Sequence, residues 1–146
     1  MLRGYTQKLE DVERVASRLV PSQRSNTVLL ETLPDAARDI AKRPALRRAI
    51  VVLDRGSMET GRVEQQRVLS AIAKSGASIW AVTVQSAQAS SPVKEVVLDE
   101  LTQDTGGRRL SAVSPAALES LMKKVADALV SQYVVTYTSG GGTPKS

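Results

Sequence analysis

The sequence predicts an α/β fold, a mainly parallel β-sheet flanked by helices. Three observations carry that reading. Short β-branched runs alternate with amphipathic stretches of helical length, the order expected of βαβ units joined by right-handed crossovers. One run, Ala49 to Asp54, is nearly unbroken in apolar character and bounded by charges, the pattern of a strand buried on both faces. The chain is 42% hydrophobic but only 3% aromatic, with no Phe and one Trp, so its core must be built from Val, Leu, Ile and Ala in layers.

The elements follow in order. Leu9, Val12, Ala16 and Leu19 recur at helical spacing between charged positions, so Gln7 to Val20 reads as an amphipathic helix ended near Pro21. Leu29, Leu33, Ala37 and Ile40 set out a second helix from about Thr27 to Lys42. Pro34 removes a backbone donor and crowds the preceding turn, so a kink or two short helices are expected there. The strand Ala49 to Asp54 then runs into the turn RGSMETG. Val63, Gln66, Leu69, Ile72 and Ala73 mark a helix that Gly76 closes in the left-handed conformation. Ser78 to Gln85, SIWAVTVQ, is the next strand, with Trp80 in the core. After a polar loop, a helix from Val93 to about Gln103 ends in Thr105-Gly106-Gly107, glycines that close a helix rather than cradle phosphate. Arg109 to Val113 forms a short strand. Ser114 and Pro115 then supply a cap and a first-turn proline for a last helix, on Leu118, Leu121, Met122, Val125 and Leu129, running to Gln132. Tyr133 to Thr138, YVVTYT, reads as a strand, and residues 139–146 as a flexible tail. A chain of 146 residues fits one such domain, spanning 1–138. Three strands belong clearly to its sheet, and so small an open sheet leaves edges that are usually covered.

Composition excludes much chemistry. Without Cys there is no disulfide framework, thiol nucleophile or thiolate zinc site; without His there is no Ser-His-Asp triad, imidazole base or histidine ligand. A nucleotide-binding enzyme of Rossmann-like form needs a glycine-rich first turn, and no strand here opens into one. A formal charge of +5 and a pI near 9.8 favour loose association with polyanions. The basic run Arg38, Lys42, Arg43, Arg47 and Arg48 falls at a helix end, where cations face the dipole favourably. It reads either as a solvated helix end or as an anion-binding patch, and no aromatic residues interleave with it as a nucleic-acid face requires. No apolar run has the length of a membrane span, and MLRGYTQKLEDVERV lacks the apolar centre of a secretory signal.

Several phrases, taken in order, resemble a known family. RRAIVVLDRGSMETG, then SGASIWAVTVQ, then LTQDTGGRRLSAVSPAALESLMKKVADALVSQYVVTY resemble the second half of a von Willebrand factor A-like domain, of the bacterial VWFA-related type common in acidobacterial genomes. YTQKLEDVERVASRLVPSQRSNTVLLETL resembles the middle of that domain, with Thr27-Val28-Leu29 at its T-x-L helix start. The resemblance spans Tyr5 to Thr138 and implies a partial Rossmann-like, three-layer fold. Family domains open with a strand ending in D-x-S-x-S, followed by a helix and two more strands. Nothing in this sequence supplies that part, so residues 1–138 are expected to form an incomplete domain of this type, whether by natural truncation or by trimming. Family members are often exported, and the compartment of this chain stays open.

The resemblance also implies a place for a metal. In the family a magnesium or manganese ion sits above the carboxyl ends of the strands, held by the Asp and Ser residues of D-x-S-x-S, a Thr, and an Asp after the fourth strand. Hard cations of this kind take oxygen ligands and keep open positions for water or a partner carboxylate. Thr27 matches the family Thr. At the strand end the family has Leu-Thr/Ser-Asp-Gly where this chain has Leu53-Asp54-Arg55-Gly56, so Arg55 holds the Asp position and the acid is displaced to Asp54. A guanidinium there repels a cation or takes its place as a built-in charge. A competing alignment places LDRGSM on the opening motif itself, which makes Asp54 and Ser57 ligands. Thr27, Asp54 and Ser57 are thus the positions of a degenerate metal site, with Thr27 equally readable as a helix cap. Arg55, Arg47 and Arg48 are the candidate binding residues.

The expected function is a non-enzymatic protein-interaction module whose metal-ion-dependent adhesion site is absent or degenerate, with no resident cofactor. The alternative is a magnesium- or manganese-dependent adhesion domain completed by another chain or by dimerisation through the Ala49–Asp54 edge. A protein partner is expected in either case; no specific nucleic acid and no membrane span are.

Overall fold

The computed structural model describes residues 5–16, 26–56, 58–62, 64–84, 91–133 and 135. In chain order the elements are α1 (Leu9–Ala16), β1 (Asn26–Thr27), α2 (Leu29–Ala41), β2 (Arg48–Asp54), β3 (Met58–Glu59), α3 (Gln65–Ser75), β4 (Ala77–Val84), α4 (Pro92–Asp104) and β5 (Arg108–Ala112); a 3-10 turn at Pro115–Ala117 leads into α5 (Leu118–Val130). The fold is α/β. β2, β4 and β5 form a parallel sheet in that spatial order, and β1 pairs with β3 in a separate two-stranded parallel ladder.

Side-chain alternation along the strands builds two apolar layers. Ile50, Val52, Ile79 and Ala81 face α2, α3 and α4, where they meet Leu30, Leu33, Val68, Ile72, Val97, Leu98 and Leu101. Trp80, Val82 and Leu110 face the other way, toward Leu118, Leu121, Met122 and Val125 around α5. Each aliphatic side chain buried completely in these layers contributes about 1.5–3 kcal/mol relative to exposure. The result is a three-layer, partial Rossmann-like arrangement in which one face of the sheet carries three helices and the other carries α5.

That asymmetry corrects the expectation that the strand at Ala49–Asp54 is buried on both faces. β2 is an edge strand, and α5 lies over β4 and β5. Val52 is 5% exposed on the covered face, whereas Val51 is 38% and Leu53 60% exposed on the other. The apolar run in the sequence therefore describes a strand whose second face is covered at Ala49 by the α5-side cluster and opens to solvent at Val51 and Leu53.

Other expectations fare variously. α2 continues through Pro34 as one helix, not two, because Leu30, Leu33, Pro34 and Ala37 are all buried along it. Their packing outweighs the loss of a single helical hydrogen bond near the helix start, a penalty of about 3 kcal/mol. Helix α3 is closed as expected by Gly76 at φ 65°, whose N–H donates to the Ala73 carbonyl. Ser114 makes no side-chain cap, and the chain enters α5 through the 3-10 turn instead. Tyr133 and Val135 lie in no strand and are exposed, so a strand at Tyr133–Thr138 does not form at those two positions; the rest of that run, and the tail at 139–146, lie outside the described residues. The helix expected at Gln7–Val20 is seen as α1, the remainder of its span being partly outside the described residues.

The TGG turn after α4 has a clear physical role. The Thr105 hydroxyl donates to the Leu101 carbonyl at 2.6 Å and accepts the Ile79 N–H at 2.9 Å, tying the end of α4 to the start of β4. Gly106 takes φ 70°. At Gly107 the chain passes so close to β4 that a Cβ would fall 1.7 Å from the Ile79 carbonyl oxygen. The three residues dock helix to sheet and open into β5.

Candidate functional site at the carboxyl ends of the strands

In parallel α/β sheets ligands gather beyond the carboxyl ends of the strands. Here that end carries a row of polar side chains in register. Asp54 of β2 pairs with Thr83 of β4, which pairs with Ser111 of β5, and all three alternate onto the face covered by α4. Asp54 is 5% and Thr83 7% exposed. The Thr83 hydroxyl oxygen is enclosed and has no hydrogen-bond partner among the described residues.

The central feature is a residue that the sequence reading did not single out. Lys94, in the first turn of α4, reaches down to Asp54 and places Nζ 2.8 Å from Oδ2, with the two side chains 0% and 3% exposed. The contact is an ion pair whose angle departs from an aligned hydrogen bond. A cation in the first turn of a helix opposes the macrodipole, and a buried one is costly unless paired. Asp54 supplies that pairing from the end of β2. A signal for this was present: Lys94 opens the series Lys94, Val97, Leu98 and Leu101, at helical spacing, all buried. A lysine on the apolar stripe of an amphipathic helix is a buried charge that must find a partner.

A second charged cluster flanks the first. Arg109 of β5 holds α4 through the Asp99 carboxylate at 2.8 Å, the Glu95 carboxylate and the Glu95 carbonyl. Burial lowers the Arg109 pKa from its ordinary value, and the negative charge of Asp54 opposes that shift. Asp99 and Glu100 both have partners: Arg109 for the first and the Gln65 side-chain amide, at 2.7 Å, for the second.

The other candidates are scattered. Thr27 belongs to β1, opposite Glu59 of β3, and Val28 occupies the N-cap position of α2 without a side-chain bond, which corrects the reading of Thr27 as the cap. The free end of α2 is satisfied from a distance: Glu59 accepts the Leu30 N–H at 3.3 Å with one oxygen and the Gly61 N–H at 3.2 Å with the other. Glu31 returns the contact by accepting the Arg62 N–H at 3.0 Å. Ser57 lies outside the described residues. Arg55 is exposed, and the built-in cation beside Asp54 is Lys94 instead. Arg47 and Arg48 bond backbone carbonyls just beyond or at helix carboxyl ends: Arg47 to Gln132 at 2.7 Å, Arg48 to Arg43 at 2.9 Å and to Ser75 at 3.4 Å. Their guanidinium groups satisfy carbonyls that helix ends leave open.

The residues at the strand ends do not fit the magnesium or manganese ion that the resemblance implies. Such an ion needs several oxygen ligands converging on one point. Asp54 already carries an ammonium on one oxygen, and among the described residues no three Asp, Glu, His or Cys side chains come together as a metal site. An anion and a cation in mutual contact present little net charge; of the row, Asp54 and Thr83 are buried and Ser111 is exposed. Comparisons of the chain with protein-family models, with curated proteins and with solved structures found no match.

Proposed function

We propose that the protein is a non-enzymatic protein-interaction module, of von Willebrand factor A-like type with a degenerate metal site, that binds through the open edge of β2 and its exposed side chains Val51 and Leu53. The observation that carries this reading is the state of β2. It ends the order β2, β4, β5, so alternate backbone amides and carbonyls along one side have no ladder partner among the described residues. Val51 and Leu53 project beside that edge, exposed by 38% and 60%. A partner that adds a strand and lays a helix over those two side chains would complete both the ladder and the third layer. The absence of His and Cys from the chain and the neutralised Asp54–Lys94 pair support a role without catalysis and without a resident cofactor.

Sedimentation equilibrium over a wide concentration range, read together with amide hydrogen exchange, tests the proposal. Self-association that protects the open-side amides of β2, and that Leu53→Lys and Val51→Lys each abolish, is the expected result for completion by a second copy. A strand-adding protein partner that is lost with the same substitutions supports the module equally. Hydrolytic or transfer activity lost in Asp54→Ala, or saturable manganese broadening centred on Asp54, would overturn it.

A further inference from the structure

Between α2 and α3, on the outer side of the helical layer, runs a groove of about 470 Å³. That size lies within the range of clefts that hold small ligands, about 300–1,000 Å³. Its apolar lining is compact: Pro34, Ala37 and Ala41 from α2 and Ala71 from α3. Its charged lining is wholly positive, with Arg38 from α2 and Arg67 and Lys74 from α3. Arg38 is paired with Asp35. α3, QQRVLSAIAKS, has no acidic residue, and neither Arg67 nor Lys74 makes an ion pair among the described residues. These two cations are seven positions apart, which along a helix is about 10.5 Å, or two turns.

We infer that this groove takes an acidic amphipathic helix of a protein partner. Alanines on both walls let a third helix approach closely, since interaxial distance is set by the side chains at the contact. Carboxylates two turns apart on that helix match the spacing of Arg67 and Lys74, while its apolar face covers the accessible surface of Ala41 and Ala71. Nucleic acid fits less well: phosphates gain nothing from an apolar floor, and no aromatic side chain among the described residues lines the groove to stack a base. The chain's charge of +5 steers an acidic partner toward it. The surface lies on the helical layer, apart from the β2 edge, and stands whether or not that edge binds.

The test is an amide NMR titration of the full chain with a stapled helical peptide bearing Glu at positions i and i+7 beside an Ala/Leu face. The same peptide with Gln for Glu, and a single-stranded DNA oligomer, serve as comparison ligands. Saturable shifts confined to α2 and α3 are expected, with affinity falling at least tenfold for the Gln peptide and for the double variant Arg67→Glu/Lys74→Glu. Both residues are exposed, and the milder Arg67→Gln/Lys74→Gln repeats the test with a smaller perturbation. Shifts spread over the whole surface, indifference to charge reversal, or tighter binding of DNA at the same residues would overturn the inference.

Discussion

Lys94 and Asp54 meet at 2.8 Å across the junction of α4 and β2, both buried, one from the first turn of a helix and the other from the last residue of a strand. The pair fastens a helix start to the sheet at the carboxyl ends of the strands, where open α/β sheets place their ligands. Removing Lys94 leaves the buried Asp54 carboxylate without its counter-ion, which costs about 3–5 kcal/mol, whereas replacing both by apolar groups is often near neutral. Lys94→Met is therefore expected to destabilise the protein strongly, and Asp54→Leu/Lys94→Met to recover most of the loss. Urea unfolding of the two single variants and the double variant checks this; additive losses would show that the two groups do not act as a pair.

Gly106 and Gly107 look alike in sequence and differ in the structure. At Gly106 a Cβ meets nothing within 4 Å, and only the positive φ opposes substitution. Gly106→Ala is expected to cost about 1–2 kcal/mol. At Gly107 a Cβ collides with the backbone of β4, so Gly107→Ala must push α4 or β5 off the sheet. The expected outcome is a thermal midpoint far lower for Gly107→Ala than for Gly106→Ala, measured by circular dichroism.

Glu59 caps α2 across 29 positions of chain. Glu59→Ala removes an acceptor from two backbone amides, and at about 1 kcal/mol for a typical cap the expected loss is about 1–2 kcal/mol. Faster exchange of the Leu30 amide, with the amides of α3 unchanged, is the local signature. Uniform acceleration throughout the chain would argue against a capping role.

Thr105 offers a hydroxyl that the Ile79 N–H needs. Thr105→Val keeps the shape and removes the acceptor, leaving a backbone donor unmet at an expected cost of about 1–3 kcal/mol. Thr105→Ser should restore most of it. Equal losses in Val and Ser variants would assign the effect to packing.

Arg109 uses three contacts on α4 at once, a geometry that a point charge cannot copy. Arg109→Lys is expected to cost about 1–3 kcal/mol. Burial lowers the folded-state pKa of this guanidinium, so the group opposes folding while charged, and that penalty is relieved only as pH rises into the strongly alkaline range. Urea unfolding of wild type and Arg109→Lys at neutral pH checks the cost of the substitution; equal stability would argue against the three-contact role.

Much of the fold was legible because its signals are local. Apolar periodicity marked α2, α3, α4 and α5, the β-branched runs marked β2 and β4, and the glycine at position 76 marked the end of α3. The sequence by itself also determined what chemistry is absent, since a chain without His or Cys cannot form the sites that need them. What only the tertiary structure decided depends on partners distant along the chain. The cap of α2 comes from Glu59, the counter-charge of Asp54 from Lys94, and the roles of Arg47 and Arg48 from helix ends at Gln132 and Ser75. Exposure of one face of β2 likewise follows from where α5 lies, not from the composition of the strand. Periodicity reports which side of an element is apolar; whether that side is covered, and which charge meets which, is settled when separate elements are brought into contact.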